Sequence, residues 1–263
     1  MKTILDEIVE KNRTHLDTSA SRREYIAGLA SVRNARRSFA KALRRDGFNV
    51  IAELKKASPS KGLIRGDFQP AVLAKTLGVN GAAALSVLTE PFYFQGALDY
   101  LPIVAAATDI PILRKDFIFD EIQIAEAEAY GADAVLLIAA MLDSARFKDL
   151  LQFAADKRLD ALCEVHNQAE LEMVLNAGAE IIGINCRDLK TFQIDRALTL
   201  KMMGEIPSNK IRVAESGIAD GYEMAELRRA GADAFLIGET LMRQNEPGIM
   251  LKKLITAANE ASD

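Results

Sequence analysis

Apolar runs alternate with amphipathic stretches along most of the chain, and this alternation predicts a repeating strand and helix unit. Three similar segments mark the repeat. Gly131, Gly178 and Gly231 each precede an Ala-Asp or Ala-Glu pair and then an apolar run. We expect each glycine to end a helix with a positive φ and each run to form a buried strand. The glycines lie about 50 residues apart, so each interval has room for two units.

Eight apolar runs have the length of buried strands. The predicted strands are Asn49–Leu54, Ala83–Leu88, Ile110–Leu113, Ala134–Ile138, Ala161–Val165, Ile181–Asn185, Arg212–Glu215 and Ala234–Ile237. Helical spacing predicts helices between them, among them Glu121–Tyr130, Ser144–Lys157 and Gln168–Asn176. Eight such units predict an α/β fold, a single (β/α)8 TIM barrel. A doubly wound sheet is the alternative, but the segment 55–60 after the first strand is not the glycine-rich loop of that fold.

The segment before the first strand is too short for a second domain. We therefore predict one barrel domain over residues 1–263, with residues 1–47 as an N-terminal helical extension. Thr3 is a candidate N-cap there, followed by an apolar stripe of Ile4, Ile8 and Val9. We expect these helices to cover the catalytic mouth of the barrel. The alternative is a plug at the opposite end.

The composition is that of a folded protein, with 49 % hydrophobic and 27 % charged residues among 263. Cys163 and Cys186 lie in apolar runs of a chain without a signal peptide, so we expect free thiols and a cytoplasmic location. No apolar run approaches the ~20 residues of a membrane span.

The net charge of −4 argues against a general nucleic-acid or membrane binder. Residues 21–45 are the exception, because they carry eight basic side chains against one carboxylate, Glu24. A solvated helix face explains this pattern better than a nucleic-acid arm. We expect the basic stretch to lie beside an anionic substrate, and we expect no nucleic-acid and no membrane partner.

Polar side chains end the predicted strands, and the active site of a TIM barrel lies at those ends. Side chains two residues apart share one face of a strand, so Glu53 and Lys55 share the face of Ile51. The same rule places each of four other polar residues on one strand face with the residue two positions before it: Lys115 with Leu113, Glu164 with Leu162, Asn185 with Gly183, and Glu215 with Val213. Three carboxylates and two ammonium groups then meet at one mouth.

Buried charges are costly unless they are paired, so ordinary ion pairs explain one such residue better than they explain the whole set. Mutual proximity should also separate the pKa values of the carboxylates and leave at least one able to act as an acid. The candidate catalytic residues are Lys115, Glu164, Lys55, Glu53, Asn185 and Glu215.

Two glycine-containing turns predict a phosphate site, Ser216-Gly217 after the seventh strand and Gly238-Glu239 after the eighth. Lys55 and Arg187 are the candidate cationic contacts. Glu239 fits an anion site only if its N–H faces the phosphate and its side chain turns away.

The sequence lacks the residues and motifs that a histidine metal site, a serine triad or a nucleotide cofactor would need. His15 and His166 are the only histidines, so a histidine metal site or a serine triad is not supported, and we expect His166 to be structural. No phosphate-binding P-loop and no Gly-x-Gly-x-x-Gly fingerprint occurs. The residues therefore support neither a histidine-based metal site nor a nucleotide cofactor.

Six motifs resemble one known family, the indole-3-glycerol-phosphate synthases of tryptophan biosynthesis. They are the segments 51–62 (IAELKKASPSKG), 88–91 (LTEP), 111–117 (PILRKDF), 163–166 (CEVH), 183–189 (GINCRDL) and 214–218 (AESGI). The resemblance covers nearly the whole chain, N-terminal helices included. It differs at Cys186, where the family often has asparagine, and at Ala97, where serine is usual.

The resemblance implies a cofactor-independent lyase that converts 1-(2-carboxyphenylamino)-1-deoxyribulose 5-phosphate to indole-3-glycerol phosphate with loss of CO2 and water. It implies that Lys115 is the general acid of ring closure and Glu164 an acid or base. Other active-site positions are matched by Glu53, Lys55, Asn185 and Glu215. Substrate- and phosphate-binding positions are matched by Ser58, Arg187, Ser216, Gly217, Gly238 and Glu239, with Lys55 near both the carbonyl and the phosphate.

Three alternatives remain at this stage. A Schiff-base aldolase would use a desolvated lysine at a strand end as its nucleophile. A phosphoribosyl isomerase on the same fold would be expected to use paired carboxylates or a carboxylate and a cysteine. A binding protein without catalysis gives no reason to bury so many charges.

Overall fold

The computed structural model describes residues 3–29, 31–32, 35–185, 187 and 195–262. The barrel strands within these residues are β1 (Asn49–Leu54), β2 (Ala82–Leu88), β3 (Ile112–Lys115), β4 (Ala134–Ile138), β5 (Asp160–Val165), β6 (Ile181–Ile184), β7 (Ile211–Glu215) and β8 (Ala234–Ile237). They are parallel, each pairs with the next, and β8 pairs with β1 to close the barrel. The predicted TIM barrel is confirmed. A short antiparallel ribbon, Ala57–Ser58 with Gly62–Leu63, follows β1.

Helices precede β1 and follow every strand of the barrel. The described helices are α1 (Ile4–His15), α2 (Ala20–Gly28), α3 (Phe39–Leu43), α4 (Pro70–Val79), α5 (Tyr100–Ala107), α6 (Glu121–Ala129), α7 (Ser144–Asp156), α8 (Gln168–Asn176), α9 (Arg196–Glu205), α10 (Gly221–Arg229), α11 (Glu239–Met242) and α12 (Pro247–Glu260). A 3-10 turn, Ala139–Met141, follows β4. Gly131, Gly178 and Gly231 have the predicted positive φ, at 86°, 89° and 111°.

The predicted strand positions agree with the structure, apart from small shifts at the ends. Asn49–Leu54, Ala134–Ile138 and Ala234–Ile237 have the predicted bounds. The third strand differs most, being predicted at Ile110–Leu113 and observed at Ile112–Lys115. Pro111 has no N–H for a strand ladder, and the strand continues through Arg114 and Lys115, which a search for apolar runs excludes.

Alternate residues of the strands face two separate apolar cores. Ile51, Leu113, Leu162 and Val213 lie in the core inside the barrel. A larger core fills the space between the strands and the helices and includes Val50 and Ile112. The predicted inward face is therefore correct, and residues placed two positions further along it arrive at the mouth.

The helix α3 closes the end of the barrel opposite the mouth. Phe39 and Leu43 are fully buried in the inner core. The backbone N–H of Ala40 donates to Asp160 at the start of β5, at 2.9 Å. Asn49 donates from its side chain to the carbonyl oxygen of Leu43, at 3.0 Å. These contacts fix α3 at the end where the strands begin.

The helix α1 lies at the mouth instead. Thr3 is its N-cap, as predicted, and forms a capping box with Asp6. Leu5 and Ile8 are the buried members of its apolar face. The Lys11 ammonium lies 4.6 Å from the ring centre of Phe92, which belongs to the loop after β2. The N-terminal segment thus supplies both of the alternatives considered for it, a cover and a plug.

The expectation that the basic stretch 21–45 lies beside the substrate is wrong for Arg22, Arg23 and Arg37, which do not line the cavity at the mouth. Arg22 and Arg23 pair with Glu126 and Asp120 of α6 and its N-cap, at 2.6 Å and 2.9 Å. Arg37 pairs with Asp109 at 2.7 Å, before β3. The charges dock the segment on the side and base of the barrel, where acidic side chains neutralise them. Arg33 lies outside the described residues.

Candidate active site

A cavity of about 410 Å³ opens at the carboxyl ends of the strands. All of the predicted site residues line it: Glu53, Lys55, Ser58, Lys115, Glu164, Asn185, Arg187, Glu215, Ser216, Gly217, Gly238 and Glu239. The strands bring these residues together because inward side chains at the ends of parallel strands converge on the barrel axis. Cys186, which differs from the family pattern, lies outside the described residues.

Lys115 lies at the centre of the buried charges. Its Nζ is 3.2 Å from Glu164 Oε2 and 4.0 Å from Glu215 Oε2. Burial disfavours its ammonium form, but the neighbouring carboxyl groups, Glu164 foremost, outweigh burial and raise the pKa of Lys115 above its ordinary value. The side chain is therefore a protonated ammonium at neutral pH.

The buried carboxylates Glu164 and Glu215 hold their protons with different strengths. Burial disfavours the charged form of both groups, but Lys115, His166 and Asn185 lower the pKa of Glu164 well below its usual range. For Glu215, burial and the neighbouring Glu164 raise the pKa well above the usual range, although Lys115 opposes them. One carboxylate is thus ionised and the other protonated, which is the separation predicted for this cluster.

Lys55 and Glu53 form a second pair of a cation and a carboxylate. The Lys55 Nζ lies 2.5 Å from Glu53 Oε1, and Glu53 is only 4 % exposed. Glu53 follows Ile51 on the inward face of β1, and Lys55 comes directly after the end of that strand. The mouth therefore offers two lysines paired with different carboxylates.

Two glycines make the room that the buried carboxylates occupy. A methyl group on Gly183 would collide with the Glu215 carboxylate, and one on Gly238 would collide with Glu53. Sequence analysis assigned Gly238 to the phosphate site and used Gly183 only to define a strand face. The sequence did contain a signal for this role of the two glycines. Each is a small residue at an inward position near a strand end, opposite a predicted buried carboxylate.

We expect Gly183→Ala to lower kcat on the order of a hundredfold, because it displaces Glu215 from beside Lys115. Steady-state kinetics with thermal unfolding measure this. Gly204→Ala in α9 is the matched control, since no atom lies near the added methyl group. Parent-like kinetics of Gly183→Ala would show that the position of Glu215 does not matter.

The predicted phosphate turns have an unusual backbone. Ser216 and Gly217 both have positive φ, at 64° and 70°. The Ser216 hydroxyl donates to Asn185 Oδ1 at 2.8 Å, which ties the turn to the neighbouring strand end. The Glu239 carboxylate accepts from Arg243 Nε at 2.9 Å and lies 3.8 Å from Lys61. The negative charge of Glu239 is therefore compensated by these two cations, so it does not prevent a phosphate from binding beside the Glu239 N–H.

His166 lies at the site, although the sequence analysis expected it to be structural and did not predict its contact with Glu164. Its Nε2 lies 3.2 Å from Glu164 Oε1, and it lines the cavity. The signal available was its position two residues after Glu164, on the same strand parity.

A buried network behind Lys115 was also missed. Arg114 faces away from the barrel axis and pairs with Asp116 at 2.9 Å and with Glu126 at 3.2 Å. The Thr89 hydroxyl donates to Asp116 at 2.6 Å. These bonds join the ends of β2 and β3 to α6 and fix the backbone on both sides of Lys115.

The described residues contain no group of three or more His, Cys, Asp or Glu side chains placed to hold a metal ion. Of the helices that the structure describes, none combines the length and hydrophobicity that a membrane crossing needs.

The fold and the site together define a (β/α)8-barrel enzyme with lysines and buried carboxylates at its mouth. A family model described as indole-3-glycerol phosphate synthase matches residues 5–254. The chain belongs to the indole-3-glycerol phosphate synthase family. It is accordingly a carboxy-lyase of tryptophan biosynthesis that closes the indole ring of a phosphorylated substrate with loss of CO2 and water.

Relatives of the same name support this assignment. The chain is 48 % identical over 257 residues to the indole-3-glycerol phosphate synthase of Campylobacter jejuni subsp. jejuni serotype O:6, covering 96 % of this chain and 100 % of that protein. It is 44 % identical over 262 residues to that of Sulfurimonas denitrificans, covering 97 % and 100 %.

Solved structures show the same fold at low identity. A crystal structure of 3-hexulose-6-phosphate synthase has a TM-score of 0.65 at 14 % identity, covering 80 % of this chain and 99 % of that one. Thiamine phosphate pyrophosphorylase from Pyrococcus furiosus has a TM-score of 0.62 at 15 % identity, covering 83 % and 98 %. At these identities the likeness concerns the fold alone.

Proposed function

We propose that Lys115 is the general acid of ring closure and that the ionised carboxylate of Glu164 holds its ammonium group in position. The observation that carries this proposal is the position of the Lys115 ammonium, 3.2 Å from Glu164 and 4.0 Å from Glu215 on the floor of the cavity. Ring closure turns the substrate carbonyl into an alcohol when the aryl carbon attacks it. A cation beside that oxygen stabilises the developing negative charge and supplies the proton.

The raised pKa of Lys115 suits this step. It keeps the side chain protonated before the reaction. The alkoxide that develops is a stronger base than an amine, so the proton transfer is favourable once the new bond forms. An ammonium of this kind is also a poor nucleophile, because a Schiff base needs the neutral amine. Lys115 therefore suits ring closure better than the Schiff-base role that an aldolase would require of it.

Loss of CO2 and water requires further proton transfers. We assign the elimination of water to the pair of Lys55 and Glu53, because these side chains are paired with each other, separately from Lys115 and Glu164. Lys55 donates a proton to the departing hydroxyl group, and Glu53 accepts one from the ring. Asn185 and the protonated Glu215 orient the reacting groups by hydrogen bonding.

The two ends of the cavity suit the two ends of the substrate. Ser216, Gly217, Gly238 and Glu239 offer backbone N–H groups for the phosphate, and Lys55, Ser58 and Arg187 add side-chain donors. Apolar side chains form the opposite wall and suit the aromatic ring. They include Ile8 of α1, Leu136, Ile138, Phe94 and Phe117.

A fluorescence assay for indole-3-glycerol phosphate tests the activity directly. We expect purified protein to form the fluorescent product from the carboxyphenylamino substrate with no added cofactor. Borohydride trapping with a keto-sugar phosphate should give no covalent adduct. A trapped adduct on Lys55 or Lys115, with no fluorescent product, would favour a Schiff-base aldolase instead.

We expect Arg187→Ala to raise KM by roughly 10- to 100-fold, the loss of one charge-assisted phosphate contact, and to change kcat little. Arg187 lines the cavity and is assigned to the phosphate, not to proton transfer. Steady-state kinetics measure both constants, and Arg196→Ala on α9 is the control because it removes a surface guanidinium that pairs with Glu226. A fall in kcat alone would place Arg187 at the chemistry.

The same proposal covers the surroundings of the enzyme. We propose a cytoplasmic location and no nucleic-acid partner. The buried free thiol of Cys163 supports the first, and the pairing of Arg22, Arg23 and Arg37 with carboxylates of the barrel supports the second.

A further inference from the structure

His166 lies between two carboxylates at the edge of the catalytic cavity. Its Nε2 is 3.2 Å from Glu164 Oε1, and its Nδ1 is 3.1 Å from Glu170 Oε2. Glu164 belongs to β5 and Glu170 to the first turn of α8. The imidazole thus bridges the strand that carries a proposed catalytic group and the helix that follows it.

The number of donors and acceptors fixes the charge of the ring. A neutral imidazole has one N–H, whereas ionised carboxylates only accept hydrogen bonds. Glu164 also accepts from Asn185 Nδ2 at 3.1 Å and lies beside Lys115, so it is surrounded by donors. Glu170 also accepts from the backbone N–H of His166 at 2.8 Å and from Asn167 Nδ2 at 2.6 Å. Both carboxylates are therefore ionised, and both ring nitrogens must carry protons.

The charged groups around His166 come from several elements. Glu164 and Glu170 contact it directly, and Lys115 of β3 lies on the far side of Glu164. Glu215 of β7 and Arg187 after β6 line the same cavity. Burial disfavours the charged ring, but the two carboxylates outweigh it and raise the pKa of His166 to about 10.

We propose that His166 is a positioning residue that, as a permanent imidazolium, holds Glu164 ionised and oriented toward Lys115. This inference rests on the proposed role of Glu164. Glu164 can stay next to Lys115 without His166, but its charge then has one cation fewer, so its pKa rises. The imidazolium also fixes one carboxylate oxygen, which leaves the other for Lys115.

The test is the pH dependence of kcat in His166→Gln. We expect kcat at pH 7 to fall about tenfold with KM changed less than about threefold, because the substitution removes a charge and not a substrate contact. The loss should grow as the pH falls, since the raised pKa of Glu164 lets its carboxylate take up a proton at a higher pH than in the parent. A parent-like kcat, or a loss that is equal at every pH, would overturn the proposal.

Two variants separate this role from its alternatives. Asn167→Ala removes the N-cap of α8 without touching Glu164, so it should lower the thermal midpoint and leave the shape of the pH profile unchanged. A pH profile altered in the same way as that of His166→Gln would make the role structural and overturn the proposal. Glu164→Gln should abolish turnover. Active Glu164→Gln would refute the role of Glu164 itself, whereas inactive Glu164→Gln beside parent-like His166→Gln would refute only the role of His166.

A spectroscopic readout is independent of kinetics. The chain has two histidines, so His15→Gln leaves His166 as the only imidazole. Nitrogen NMR of that protein should show both ring nitrogens protonated from pH 6 to pH 9. Titration near the ordinary histidine value of about 6.5 would overturn the proposal.

Discussion

Lys115→Met should reduce kcat by roughly 10²- to 10⁴-fold, the range of a lost general acid, and leave substrate binding largely intact. Methionine has nearly the length of lysine and keeps the packing of the barrel mouth, but it can neither donate a proton nor stabilise the developing alkoxide. Lys115 is assigned to proton donation and not to the phosphate, so ligand affinity should change much less than turnover.

The measurement combines the fluorescence assay with calorimetric titration of a substrate analogue. Lys210→Met is the matched control. Lys210 pairs with Glu180 just before β7 begins, at the end of the barrel opposite the mouth. Removal of Lys115 also takes a cation from beside Glu164, so thermal unfolding must confirm that the variant is folded. A folded Lys115→Met enzyme within about tenfold of the parent would refute the assignment.

Removal of residues 1–44 should unfold the barrel, whereas removal of residues 1–17 should leave it folded with a much higher KM. The longer deletion removes Phe39 and Leu43, both fully buried in the inner core. Loss of two such side chains costs roughly 5 to 10 kcal/mol, comparable with the whole stability of a typical domain. The shorter deletion removes α1 and its apolar contacts at the mouth but keeps the N-cap of α2, Ser19.

Denaturant unfolding and steady-state kinetics of the two deletions measure these effects. They also test our proposal that residues 1–263 form one domain with residues 1–47 as an extension. Ile8→Ala is a milder variant of the shorter deletion, because it removes one buried contact of α1 and keeps the helix. A stable, cooperative barrel without residues 1–44 would show that α3 is not needed as a plug, and an unchanged KM without residues 1–17 would show that α1 plays no part in binding.

Sequence periodicity was sufficient to predict that the candidate catalytic side chains meet at one end of the barrel. The two-residue repeat of a strand places Lys115 above Leu113 and Glu164 above Leu162, and closure of the barrel brings their ends together. Individual contacts between strands did not have to be known, because closure of the barrel brings all the strand ends together.

Contacts across the barrel could not be predicted in this way. The room that Gly183 gives to Glu215 depends on the shear between β6 and β7, which the periodicity of one strand does not contain. The bond between His166 and Glu170 joins a strand end to the helix after it, and the basic stretch finds its carboxylates on α6. Each of these depends on distances between elements and not on the pattern within one element.

The plug formed by Phe39 and Leu43 affects how the substrate enters the enzyme and how the products leave it. Because it closes one end of the barrel, the part of the chain that the structure describes leaves one opening, at the mouth, for the substrate, CO2, water and the indole product. Within the described residues, α1 lies across that opening and is held there by contacts such as that of Lys11 with Phe92. We therefore expect a bulky product to pass the same helix as its precursor, so that changes in α1 alter the rate of product release as well as substrate binding.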